Sequence, residues 1–161
     1  MTDATVAIRK ARPNDAPKVS ALWETMADEH RAYDDEVWCW ADDAVRHWRE
    51  HFREVIQKPD MLLLVAEAAH GELVGFVIAQ IRQAEPVFET RKNGFVWDLS
   101  VRPDWRRRGV ASALVERAFE YLRARGVDDV ILHVALDNAA AVAFYEAHGM
   151  RRVMYRMYRR L

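Results

Sequence analysis

Val101-Arg102-Pro103-Asp104-Trp105-Arg106-Arg107-Arg108-Gly109-Val110-Ala111-Ser112-Ala113 decides how this chain is read. An apolar strand, Phe95 to Val101, runs into it, with Phe95, Trp97, Leu99 and Val101 expected on one face. A helix runs out of it from Gly109 to Arg125. There Val110, Leu114, Ala118 and Leu122 form an apolar stripe, with Val115 and Phe119 beside it. Gly126 follows as the residue that ends the helix. A helix start offers unpaired backbone N–H groups and a partial positive charge. Arg106, Arg107 and Arg108 add full charges, and Gly109 and Ala111 leave room for a phosphate to reach backbone. Three arginines in a loop are ordinarily a solvated patch. Here the small residues and the helix start make the span from Arg106 through Val110 and Ala111 to Ser112 a diphosphate-binding turn.

A second segment lies downstream: Asp137-Asn138-Ala-Ala-Ala-Val-Ala-Phe144-Tyr145-Glu146-Ala-His148-Gly149. Together the two resemble the GNAT superfamily of acetyl-CoA-dependent N-acetyltransferases, from Ala7 to about Tyr158. Arg106, Gly109 and Ala111 meet that family's pyrophosphate signature. Asn138, Phe144, Tyr145, Glu146 and Gly149 meet its second signature. The resemblance implies one N-acetyltransferase domain over 1–161, an α/β fold of the acyltransferase type. Its twisted sheet is mostly antiparallel and splayed between the fourth and fifth strands, with helices on both faces. It implies acetyl-CoA as cosubstrate, with Leu99, Ser100 and Val101 pairing with the pantetheine arm as a further strand would. Amide N–H groups near Leu99 and Val101 then face the thioester oxygen.

Asn138 meets the same arm, and Tyr145, nearly two helical turns on, is carried to the sulfur as general acid. Relatives often carry two adjacent acids before the arginine turn. Here the first place holds Trp97 and only Asp98 is acidic. By the period of two, Asp98 points away from the Trp97 and Leu99 side unless a bulge re-aims it. The base therefore stays open among Asp98, a water chain, Glu29 and His30. Phe144 reads as core.

A formal net charge of −1 gives no electrostatic case for nucleic acid. The one cysteine, Cys39, excludes an intrachain disulfide, and the six His show no ligand spacing, so no metal is expected. The polar N-terminus reads as no signal peptide, and the apolar run Met61 to Ala66 is too short to span a membrane. A cytoplasmic protein is the expectation. Further strands are expected at Val6–Arg9, Met61–Ala68, Leu73–Ile81, Val130–Ala135 and Met150–Tyr158. Helices are expected after Asp15, after Asp43 and over Ala139–His148, with a charged loop over Asp28–Glu36.

The acceptor side falls in Trp23 to Trp48, the least family-like part. Between residues 24 and 43 stand eight acids against one full positive charge, Arg31. Beside Tyr33, Trp38 and Trp40, this suits a small cationic amine or a peptide N-terminus, by charge and cation–π contact. Glu29, Tyr33, Asp34 and Trp38 are the expected acceptor residues. Acids at helix starts have a dipole reason of their own, and Trp48 with Val45 and Phe52 reads as core. A reading from another class is a non-catalytic acyl-CoA sensor, supported by Trp97 and opposed by Tyr145. The Met- and Arg-rich last strand is a candidate edge for a homodimer.

Overall fold

A computed structural model describes residues 5–89 and 92–161. Five strands form one sheet in chain order: β1 Ala7–Lys10, β2 Met61–Glu67, β3 Leu73–Gln83, β4 Lys92–Val101 and β5 Asp129–Leu132. The first four pair antiparallel, and β4 with β5 is parallel. Helices α1 Ala16–Tyr33 and α2 Ala44–Val55 cover one face, and α3 Val110–Arg123 covers the other. Helix α4, Ala139–Ala147, follows β5. This is the mixed sheet with helices on both faces that the resemblance implies.

Burial follows from composition. Strands β2 and β3 are continuous apolar runs, because α1 and α2 press on one face and α3 on the other. Val65, Phe76 and Ile78 meet Val19, Trp23 and Phe52, whereas Leu64, Val77 and Val96 meet Leu114, Ala118 and Leu122. Gly75 is required by close approach: a Cβ there would stand 2.9 Å from the Ser100 carbonyl oxygen and 3.2 Å from Leu114. The ladder between β2 and β3 slips beside it, at Ala66/Glu67.

The feature that shapes the site is a bulge in β4. Ile78 pairs with Asp98 and the next residue, Ala79, with Val96, so Trp97 is the extra residue. Before it, Gly94 and Val96 face α3; after it, Leu99 and Val101 do. Phe95, Asp98 and Ser100 therefore share the α1–α2 side. The single face expected for Phe95, Trp97, Leu99 and Val101 is corrected: the bulge breaks the period of two between Trp97 and Leu99.

The bulge also marks where the sheet opens. Pairing of β4 with β5 runs from Asn93↔Asp129 to Val96↔Leu132 and ends there. Residues 98–101 of β4 continue along β3 alone.

Three boundaries differ from expectation. Helix α1 runs through the charged stretch to Tyr33, since Asp, Glu, His and Arg are ordinary helix residues on an exposed face. The fifth strand stops at Leu132 instead of Ala135. No strand forms at Met150–Tyr158; residues 151–161 have no regular structure and lie exposed. A strand needs a partner edge, and this segment makes no pairing to β5.

Candidate active site

The arginine turn is built from backbone first. Pro103–Trp105 makes one 3-10 turn off the end of β4, with its start set by Pro103. Arg107 and Gly109 then adopt left-handed conformations, φ 58° and 78°, with Arg106 extended before them. Left-handed residues at this spacing turn successive N–H groups inward into a concave anion nest. Gly109 is the N-cap of α3, and a Cβ there would meet nothing within 4 Å. The glycine is therefore required by conformation and leaves open room at the helix start.

Arg106 is a structural clasp. Its Nε donates to the Val101 carbonyl at 2.9 Å, and its terminal nitrogen donates to Glu29 at 2.7 Å. It ties the end of β4 to α1. Arg108 lies over Trp105, 5.4 Å from the ring centroid, and a second cation, Arg102, lies 5.9 Å from it and pairs with Asp104 and Glu72. Val110 is buried, whereas Ala111 and Ser112 stay half-buried near the helix start.

The open edge of β4 presents donors. Arg102 donates its backbone N–H to Val74 on the β3 side at 2.9 Å. Antiparallel strands alternate, so Leu99 and Val101 turn their N–H groups away from β3, into the gap that β5 leaves. The Val101 carbonyl faces the same way, and Arg106 takes it. Ser100 points its side chain inward, where it donates to the Leu22 carbonyl at 3.4 Å, and by the same alternation its backbone N–H faces β3 and not the gap.

Asp98 and Tyr145 lie near enough for the Asp98 charge to act on the phenol. The bulge turns Asp98 toward α2, where the Trp48 indole N–H donates to its carboxylate. Asp98 lies mostly out of solvent, and burial pushes its carboxyl up to about 6. Tyr145 is half-buried on α4. Burial first, and then the Asp98 charge, raises its phenol well above the usual tyrosine range. At neutral pH the pair is a carboxylate near its titration point beside a fully protonated phenol.

Asn138 caps α4: its side-chain oxygen accepts from the Ala141 N–H at 3.0 Å. Its amide NH2 is the part left to reach a ligand. Phe144, expected in the core, is half-buried against His148, with ring centroids 4.3 Å apart, and belongs to neither core cluster.

The expected acceptor residues scatter. Glu29 binds Arg106. Asp34 accepts from the N–H groups of Glu36 and Val37, closing the turn after α1. Tyr33 and Trp38 both meet the His30 ring, at 5.7 and 5.4 Å, and form one aromatic edge. Trp40 donates to the Ala27 carbonyl and meets Trp23, which stacks on Trp48, the indole beside Asp98. His30 itself bonds the Met26 carbonyl. Among the described residues no group of His, Cys, Asp and Glu is placed to hold a metal ion, and no helix is long and apolar enough to cross a membrane.

One cluster escaped the sequence reading. Arg82, Phe95, Trp97 and His133 gather at the mouth of the gap, around a cavity of about 230 Å³ that Arg156 also lines. They come from β3, β4, the residue after β5 and the tail, and no local pattern joins them.

Comparison with known proteins bears on this geometry. Residues 19–150 match the acetyltransferase (GNAT) family. A mycothiol acetyltransferase of Saccharomonospora viridis is 38% identical over 110 residues, which is 68% of this chain and 36% of that one. The chain thus spans about a third of the length of that relative. An acetyltransferase of Sodalis glossinidius is 33% identical over 143 residues, 86% of this chain and 82% of that one. An aminoglycoside 6'-N-acetyltransferase in complex with a bisubstrate analogue built on CoA superposes with a TM-score of 0.76 at 20% identity. That match covers 98% of each chain.

Proposed function

Because the chain belongs to the acetyltransferase (GNAT) family, we propose that it moves the acetyl group of acetyl-CoA to a small amine by direct attack in a ternary complex. The observation that carries this reading is the meeting of Asp98 and Tyr145 where β4 parts from β5. The acetyl thioester, when bound, supplies an activated acyl carbon and a thiolate leaving group. The nest at Arg106–Ala111, with Ser112 and the charges of Arg107 and Arg108, holds the diphosphate. The open N–H groups of Leu99 and Val101 pair with the pantetheine arm, with the Asn138 amide beside them. One of those N–H groups donates to the carbonyl oxygen as negative charge develops there. Asp98 accepts the proton that the amine loses. Tyr145 gives its phenolic proton to the leaving sulfur.

The aromatic edge of Tyr33 and Trp38 supports entry of a cationic amine, a small molecule or a peptide N-terminus, with Asp34 and Glu29 adding negative charge along the rim. Glu29 also keeps Arg106 in place. The exposed apolar tail, with Met154, Tyr155 and Met157 in solvent, and the unpaired outer edge of β5 favour a homodimer, which sedimentation equilibrium would read as twice the chain mass.

The test is a panel of amines with acetyl-CoA, following free thiol and the acetylated product together. Equal amounts of both are expected. CoA binding with no thiol released by any amine would instead favour a sensor, the reading that Trp97 supports.

Asp98 makes a separate prediction about stability. Its carboxyl is raised from the ordinary value near 3.8 to about 6. The folded protein therefore binds a proton between those values that the unfolded chain lacks. Stability falls as pH rises through that window, then stays level. Asp98→Asn removes the buried charge, so its Tm relative to the parent is expected to be higher at pH 8 than at pH 4. Parallel Tm curves would show that burial does not disfavour the charged form.

A further inference from the structure

The cavity at the mouth of the gap is cationic and aromatic, and its charges are unspent. The Arg82 guanidinium lies over Phe95, 3.8 Å from the ring centroid, and 4.7 Å from that of Trp97. Its Nε donates to the Gln80 side-chain oxygen at 3.2 Å, which also accepts from the Trp97 indole at 3.1 Å. Gln80 in turn donates to Asp60 at 2.8 Å, which fixes the amide with its oxygen toward Arg82. Arg82 is thus anchored by stacking and by one N–H, while its terminal nitrogens have no carboxylate among the described residues. His133 stands edge-on to Phe95 at 5.1 Å, and Arg156 closes the rim. No acid lines the cavity. Arg9, Arg31, Arg46, Arg102, Arg106, Arg117 and Arg152 each pair with an acid, and Arg82 does not.

Position gives this cavity a meaning. Trp97 forms part of it, and Asp98 is the next residue. The Trp97 ring contacts Phe95 and bonds Gln80, the β3 partner of Phe95. Asp98 pairs with Ile78, two residues from Gln80 and on the same face of β3. The bulge therefore sets an anchored guanidinium and the proton acceptor on one face, a few side-chain lengths apart. We propose that the cavity receives the carboxylate of the acceptor. The acceptor is then an amino acid or a short peptide carrying amine and carboxylate together, and not a polyamine. The carboxylate takes the terminal N–H groups of Arg82, with Arg156 adding charge and the His133 ring lining the site, while the amine lies toward Asp98. This rests on the acetyl-transfer reading above.

The test compares free amino acids and dipeptides with their C-terminal amides, following thiol release from acetyl-CoA, in the parent and in Arg82→Gln. Charge-assisted bonds of this kind give a preference for the acids of about 10- to 100-fold in kcat/KM. In Arg82→Gln that preference is expected to collapse to about twofold, through KM and with kcat for the amides unchanged. Arg82→Lys is expected to keep part of it. Amides turned over as well as acids by the parent, or a full preference retained by Arg82→Gln, would overturn the proposal while leaving acetyl transfer standing. Thiol release with no amine of any kind, polyamines included, would overturn both.

Discussion

Gly109→Asp is expected to weaken CoA binding by about 10²-fold or more, read by calorimetry on the folded variant. Two causes act in the same direction. Gly109 sits at φ 78°, where side chains other than Asn and Asp are rarely found. A carboxylate there also stands at the mouth of the nest, and like charges about 4 Å apart repel by roughly 1–4 kcal/mol at partly exposed sites. Gly109→Asn separates the two effects: it tolerates the same backbone conformation and carries no charge. Its loss of affinity is expected to be several-fold at most. Equal losses in the two variants would mean that shape and not charge governs the turn. Unchanged affinity in both would remove the diphosphate from this helix start.

Tyr145→Phe is expected to slow turnover by about 10²–10⁴-fold, the usual effect of losing a positioned acid, with CoA affinity unchanged. The ring remains, so contact with Phe144 persists. Burial and the neighbouring Asp98 hold the phenol above its ordinary range, so the proton is present across the physiological scale. The activity lost should therefore not return at any pH below that of the phenol's own titration. Acyl donors with a good leaving thiol, such as an activated thioester analogue, should narrow the deficit. A variant as fast as the parent would assign the leaving-group proton to water.

How much of this was visible in the chain depends on whether the cause was local. The turn at Arg106 to Ala111 was legible because a helix start, its glycine and its arginines are adjacent. The same holds for α3, whose stripe predicts its buried face, and for Asn138 as a helix start. What sequence could not supply are the facts that need a second strand. The bulge at Trp97 appears only in the slip between Ile78↔Asp98 and Ala79↔Val96. Without it the period of two sends Asp98 to the wrong side. Glu29 looked like an acceptor residue because it stands in an acidic run; its bond to Arg106 spans 77 positions. The tail shows the converse error: Met150 to Tyr158 reads as a strand, yet residues 151–161 lie exposed without regular structure. The Arg82 cluster had no sequence signal, since β3, β4 and the residue after β5 meet only once the sheet has formed.

In the proposed mechanism the pairing of Asp98 with Tyr145 turns a CoA-binding scaffold into a transferase, and Asp98 is the half that titrates in an accessible range. The pH dependence of kcat at saturating acceptor, in the parent and in Asp98→Asn, tests it most directly. With the Asp98 carboxyl raised to about 6, activity in the parent is expected to fall on the acid side with a midpoint near that value. In Asp98→Asn the residual rate is expected to be low and free of that limb. A limb near pH 6 that survives unchanged in Asp98→Asn would contradict the assignment and move the base to another group, His30 first.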